Sequence, residues 1–354
     1  MLTAESKVAT SPPRDVSRPG CSHSWKQIVD PVEPFLEAVG RGLAQQVKAF
    51  EPETADYADY AINRQGKQLR PALVALTAKA LGEPSDDHVM VAVIIEMVHL
   101  ATLVHDDVMD EAEIRRGRLT LAANWGNDIA VLFGDCLFAR ALTLAASFPT
   151  PEICRAVATA TNTVCSGEIL QTQDRGNFCL TQEKYFKVLE MKTAELFALS
   201  CELAAVLSRS TPAQRRVLRA FGLAFGTAYQ IYDDCIDLFG SEAAAGKSLG
   251  TDLAKGKLTL PMLLLWERAD AADRARLKDW VLNWQGGSMK RISKLLARYE
   301  TLVGSLDIMG EYLERARQAL GALSPSTGRA SLLLLADYLA RQTDALGAVP
   351  ESSL

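Results

Sequence analysis

Paired cysteines, basic runs and unbroken apolar stretches are all missing from this 354-residue chain. Its seven cysteines (Cys21, Cys136, Cys154, Cys165, Cys179, Cys201 and Cys235) are odd in number and scattered, with no C-x-x-C pair. That excludes a disulfide framework and a zinc site and points to a reducing, cytoplasmic setting. Several sit among Ala and Leu, where cysteine behaves as a small hydrophobe. No Lys/Arg block exceeds a pair and the net charge is -5, so nothing calls for nucleic acid. Long apolar stretches are interrupted by charge, as Asp135 and Arg140 interrupt Ile129 to Phe148. A membrane span needs about 18 apolar residues without such breaks, so no transmembrane segment is expected. The start lacks a basic region followed by an apolar one, so no secretory signal is expected either.

What is present is apolar material, 48% of residues against 23% charged, enough to bury a large core. Residues 1–25 are rich in Ser, Pro and Thr without periodicity and read as a disordered leader. Residues 347–354 read as a loose tail. Between them, Ala, Leu, Glu, Lys and Arg dominate, and apolar residues recur at three- and four-residue spacing. Val91, Ile94, Ile95, Val98, Ala101, Thr102 and Val104 form one stripe; Leu196, Leu199, Leu203 and Val206 form another. Two-residue alternation is nowhere sustained, which argues against a sheet. Thr211 before Pro212 reads as an N-cap with a first-turn proline. About ten to twelve helices follow, several apolar on more than one face. No composition shift marks an internal boundary, so residues 26–346 read as one all-α domain, a helical bundle.

Two acidic clusters share the pattern D-D-x-x-D: Asp106-Asp107-Val108-Met109-Asp110 and Asp233-Asp234-Cys235-Ile236-Asp237. On a helix the first and last Asp lie one above the other, with the middle Asp about 100° round. Three carboxylates within a turn repel one another. A solvated helix end accounts for one such cluster, but not for two, each flanked by apolar residues. Hard oxygen donors suit Mg²⁺, which binds through a few carboxylates together with substrate phosphates. Basic residues supply the complement. Lys67 and Arg70 open a helix on one face, and Arg115-Arg116-Gly117 follows the first cluster by one to two turns. Lys192-Thr193 comes later, then Lys247 and Lys257 in a glycine-flanked stretch. Arg and Lys both bind phosphate oxygens, so the set describes a site for two diphosphates. His99, Gln230, Glu168 and Gln171 are polar residues in apolar runs, placed to line a cavity.

At this point the chain resembles the trans-isoprenyl diphosphate (polyprenyl) synthase family. The resemblance is carried, in family order, by GKQLRP, EMVHLATLVHDDVMDEAEIRRG, FGDCLFARA, GEILQ, MKTAELF, YQIYDDCIDLFG and GKSLGTDLAKGKLTLP, over roughly residues 60 to 265. It implies an all-α isoprenoid-synthase bundle around a deep apolar cavity, a homodimer, and condensation of an allylic diphosphate with isopentenyl diphosphate using three magnesium ions. By motif position it assigns Asp106, Asp107, Asp110, Asp233 and Asp237 to the metals. Arg115, Lys192, Lys247 and Lys257 fall to the allylic diphosphate, and Thr193 and Gln230 to the developing cation. Lys67, Arg70, His99 and Arg116 fall to isopentenyl diphosphate. Gln65 and Gln68 depart from the usual G-G-K-R-x-R-P, and the C-terminus lacks the basic tail that some members fold over the site.

Ala101 and Thr102, four and five residues before Asp106, are small where early-terminating members carry bulky aromatics. The expectation is a product from geranylgeranyl upward, with a medium or long chain favoured and Ala101→Phe shortening it. Thr161, Val164 and Cys165 are small on the facing helix, while Phe138 or Phe148 is bulky enough to close the tunnel. A terpene cyclase of the same fold would lack the second D-D-x-x-D, and a non-catalytic regulatory subunit would tolerate lost aspartates. Neither departure occurs here.

Overall fold

The helix Pro212–Phe239 starts where its sequence dictates. The Thr211 hydroxyl accepts from the Gln214 amide at 3.2 Å, Gln214 Oε1 accepts from the Thr211 amide at 2.9 Å, and Pro212 fills the first turn. The computed structural model to which it belongs describes residues 24–62, 66–240, 249–285 and 287–346. The chain-terminal segments read as leader and tail lie largely outside them, as do Lys247 and Gln65. Trp25, the last residue assigned to the leader, instead begins a helix, Trp25–Val29, capped by Ser24.

The fold is all-α. Pro212–Phe239 packs between Glu195–Leu207 and Thr301–Leu320, and Asp86–Met109 packs against Asn127–Ala146. Leu69–Leu81 lies against both Glu195–Leu207 and the last long helix, Thr327–Gln342. The first apolar stripe is buried except at one position: Val91, Ile94, Ile95, Val98, Ala101 and Val104 are in the core, while Thr102 is only half-buried. The described residues contain 17 α-helices, more than periodicity indicated, because pieces such as Leu121–Trp125 and Thr251–Ala254 are too short to show it.

One further expectation is corrected. A minimal antiparallel hairpin pairs Ile114 with Leu119 and Arg115 with Arg118. Its turn, Arg116-Gly117, has positive φ at both residues (52° and 73°), the two-residue geometry that suits a hairpin. Two helices, Asp86–Met109 and Asn127–Ala146, are also long and apolar enough to cross a membrane by length and composition. Charge interrupts both, at Glu96 in the first and at Asp135 and Arg140 in the second. Of the apolar stretch in each, 61% is buried in the bundle for the first and 39% for the second.

Helix Gln182–Leu189 runs into a wide π turn, Glu190–Ala194, before Glu195–Leu207 continues. Such turns are uncommon and concentrate at functional sites. Two glycines let neighbouring helices close on it. A Cβ on Gly167 would lie 2.7 Å from the Lys192 amide, and one on Gly226 would lie 2.8 Å from Ala194 Cα. The turn is thereby pressed between Pro151–Gln173 and Pro212–Phe239, with Lys192 and Thr193 facing the space between them.

Candidate active site

That space is a cavity of ≈ 1940 Å³ lined by both acidic helices. Asp106 and Asp110 face it from Asp86–Met109, and Asp233 faces it from Pro212–Phe239. Asp107 does not. It is 2% exposed and accepts from Arg115 Nε at 2.6 Å, which corrects its assignment to the metals and occupies Arg115 as well. Asp237 is 1% exposed and also lies outside the lining. It accepts from Thr251 Oγ1 at 2.9 Å and from the Asp252 amide at 3.3 Å, and so organises the loop that follows. Among the described residues no three acidic, His or Cys side chains converge into a ready metal cage. Two carboxylates on one helix and a third opposite fit Mg²⁺, which takes one or two carboxylates and completes its shell with substrate phosphates and water.

Cations already neutralise the first cluster. Lys257 Nζ lies 2.7 Å from Asp110 Oδ2, and Arg175 Nη2 lies 3.1 Å from Asp110 Oδ1. Burial pushes the Asp110 carboxyl up, but Lys257, with Lys255 and Lys192 behind it, overcomes this and holds it below the usual range. For Asp106 burial prevails over the pull of Lys192 and raises it. Burial also opposes the Lys192 ammonium, which Asp106 (3.7 Å) and Glu168 more than offset, while Gln171 Oε1 accepts from it at 2.9 Å. Arg175 was absent from the sequence candidates. No spacing marks it; the Gly176 amide donates to the Gly256 carbonyl at 2.7 Å, and this tie brings Arg175 and Lys257 to the same aspartate.

A second group of cations lies apart from the first. Lys67, Arg70, His99 and Arg116 line the cavity, but Lys67 and Arg70 do not share a helical turn. The helix begins at Leu69 after Gln68, whose left-handed backbone (φ 47°, ψ 44°) leaves Lys67 before the helix, 5.9 Å over the Tyr338 ring. The Arg70 guanidinium stacks 4.6 Å from the Phe197 ring centroid. Burial holds the His99 imidazole well below its ordinary pKa, and Arg70 and Arg116 reinforce this, so it is neutral at pH 7. Glu96, missed in the sequence, faces both arginines, and burial raises its pKa against their pull. Its signal was available: Glu96, His99, Leu103, Asp106 and Asp110 recur on one helical stripe.

Residues 51–298 match the polyprenyl synthetase family. An octaprenyl diphosphate synthase of Haemophilus influenzae is 32% identical over 304 residues, 85% of this chain and 92% of its own. The chain belongs to the polyprenyl synthetase family. It is a prenyltransferase of the trans-isoprenyl diphosphate synthase type. An all-trans-nonaprenyl-diphosphate synthase (geranyl-diphosphate specific) of Rhodobacter capsulatus is 34% identical over 87% of this chain and 95% of its own. A polyprenyl synthase structure from Caulobacter crescentus, complexed with calcium and isoprenyl diphosphate, superposes with a TM-score of 0.86 at 31% identity, covering 91% of this chain and 99% of that one.

The apolar end of the synthase cavity is lined by Thr102, Leu103, Phe138, Val164 and Cys165; Thr161 and Phe148 are not part of it. Ala101 is not either. It is 0% exposed and packs in the core, about 140° round the helix from Asp106, whereas Thr102 is only about 40° round. Of the two small residues, only Thr102 reaches the cavity and is placed to meet a growing tail. Thr102→Phe ends the product ladder at a shorter prenyl alcohol, read by chromatography of dephosphorylated products; an unchanged ladder would remove Thr102 from the tunnel wall. Beside Lys67, Trp25 and Tyr338 also line the cavity, with ring centroids 6.1 Å apart.

Proposed function

We propose that the chain condenses isopentenyl diphosphate head to tail with an allylic diphosphate, with magnesium, to make a medium or long polyprenyl diphosphate. The observation that carries this is the pairing of two aspartate-bearing helices across one cavity that holds two separate cation groups. Octaprenyl and nonaprenyl synthases among its relatives, and small Thr102 at the tail end, support the longer product.

Asp106, Asp110 and Asp233 would hold the metal ions, three in number with substrate. When bound, magnesium supplies Lewis-acid stabilisation of the charge on the leaving diphosphate. Lys192, Lys257 and Arg175 exchange their carboxylate partners for phosphate oxygens as substrate and metal arrive together. Thr193 and Gln230 turn oxygen dipoles toward the carbon that becomes positive. Arg70, Arg116 and Lys67 hold the second diphosphate, and neutral His99 donates a hydrogen bond without adding charge. The apolar walls exclude water from the cation. The allylic C–O bond breaks to leave a carbocation, the double bond of isopentenyl diphosphate attacks it to form the C–C bond, and the proton lost from the isopentenyl carbon next to the new cationic centre passes to the departed diphosphate.

The reading includes a homodimer in the cytoplasm. Leu132 (61% exposed), Ile169 (59%) and Val131 (41%) leave apolar surface on two adjacent helices that a second copy would bury, Ile169 and Val131 lining the cavity as well. The unpaired, scattered cysteines support a reducing compartment.

The test is incubation of the full chain with labelled isopentenyl diphosphate, farnesyl diphosphate and Mg²⁺. A ladder ending at one long prenyl alcohol, abolished by EDTA and restored by Mg²⁺, is expected. Farnesyl diphosphate turned into a cyclic hydrocarbon without label would overturn it.

A further inference from the structure

The two cation groups of the cavity are held in different ways. Lys192, Lys257 and Arg175 each lie on a carboxylate. Among the described residues, the side chains of Lys67, Arg70 and Arg116 make no ion pair and no hydrogen bond. Lys67 and Arg70 rest on the rings of Tyr338 and Phe197, and the Arg70 Nε is buried without a partner. Arg116 rests instead on Gly66. A Cβ on Gly66 would lie 2.5 Å from Arg116 Nη1, 2.9 Å from Nη2 and 3.0 Å from Cζ, so the guanidinium occupies the place of the side chain that glycine lacks. Backbone conformation does not ask for glycine here, because Gly66 lies outside the left-handed region. The hairpin that carries Arg116 is tied at three points. Arg115 Nε donates to Asp107 at 2.6 Å, the Tyr60 hydroxyl to the Leu119 carbonyl at 2.6 Å, and the Thr120 hydroxyl to the Ala112 carbonyl at 2.6 Å. With its backbone fixed, the resting place of the Arg116 side chain decides where the charge sits.

We propose that Gly66 is a positioning residue: by leaving room for the guanidinium it seats Arg116 beside Lys67 and Arg70, where the three meet the second diphosphate. Burial lowers the pKa of Arg70; Glu96 opposes this from a distance, and the charge of Arg116 adds to it. Two guanidiniums that close, with no carboxylate in contact, are best satisfied by an anion between them. Their donors are free to bind it, whereas the cations of the first group must first leave their aspartates. A side chain at position 66 would displace only the end of Arg116, a flexible group, so the fold would stand and the charge would move. This inference rests on the placing of the second diphosphate proposed above.

The test is a double-mutant cycle in the full-length chain with Mg²⁺, isopentenyl diphosphate and farnesyl diphosphate being varied in turn. Gly66→Ala should raise the KM for isopentenyl diphosphate about tenfold, the scale of one charge-assisted hydrogen bond. The kcat, the KM for farnesyl diphosphate and the melting temperature should hold. Arg116→Met should raise the same KM, and adding Gly66→Ala to it should raise it little further, because the group that glycine seats is gone. An unchanged KM in Gly66→Ala, an equal rise for farnesyl diphosphate, or the same added factor in both backgrounds would each overturn it. If Gly66→Ala does not fold, the double variant decides. Its folding would place the clash at Arg116, as proposed; its failure to fold would mean that glycine serves the backbone instead. Arg116→Met separates the two levels. An unchanged KM there removes the second diphosphate from this cation group, and the inference with it, whereas a raised KM beside an inert Gly66→Ala sinks the seat alone.

Discussion

Asp106→Asn removes about a thousandfold or more of kcat while leaving the fold intact. Asp106 faces the cavity from the end of Asp86–Met109, on the same helix as Asp110 and with Asp233 on another helix that lines it. The amide keeps the side chain's shape but removes the negative charge that a hard divalent ion needs. Lys192 loses a partner at 3.7 Å but keeps Glu168 and Gln171, so no buried cation is stranded. Circular dichroism and the melting temperature should therefore hold while single-turnover release of labelled diphosphate collapses. Asp107→Asn is the internal comparison. Its carboxylate is turned away and bound to Arg115 at 2.6 Å, so its loss acts through the hairpin that carries Arg115 and costs less. Equal losses at the two positions would return Asp107 to the metal ligands.

Arg70→Met raises the KM for isopentenyl diphosphate by about a hundredfold, with a much smaller change for the allylic diphosphate. The guanidinium lies over Phe197 at 4.6 Å and beside Glu96, in the cation group separate from Asp106 and Asp110. Methionine preserves the apolar stem and its packing on the ring, so the change isolates the charge. Truncating one member of a desolvated, hydrogen-bonded charge pair typically costs about 2–5 kcal/mol, and a hundredfold corresponds to about 2.7 kcal/mol. Lys257→Met should show the opposite preference, because Lys257 sits on Asp110. Initial rates with each substrate varied against saturating partner check this. Equal increases in both KM values from Arg70→Met would mean that the two cation groups do not serve separate diphosphates.

Much of this site is local in the chain and was legible there. A cluster such as D-D-x-x-D needs only one helical turn to bring its first and last members into line, so Asp106 with Asp110 follows from periodicity. The order of seven motifs indicated the family, and capping signals such as Thr211-Pro212 set helix starts that the structure keeps. Turns with positive φ were harder. Gln68 and Arg116 carry left-handed backbone without being glycine, so the start of the helix after Gln68 was misplaced and the hairpin at Arg116 was missed.

The sequence by itself determined an all-α chain, two aspartate clusters and the stock of cations that complements them, because helical periodicity and side-chain chemistry are properties of neighbours in the chain. Tertiary structure alone decided which of those groups act together. Asp107 and Asp237 point away from the cavity, and Ala101 yields the tunnel wall to Thr102, because a helix has several faces and only its packing partners select one. Arg175 joins the site through a loop-to-loop hydrogen bond, and Arg116 rests against Gly66. Such contacts link residues far apart in the chain, where no local spacing can mark them.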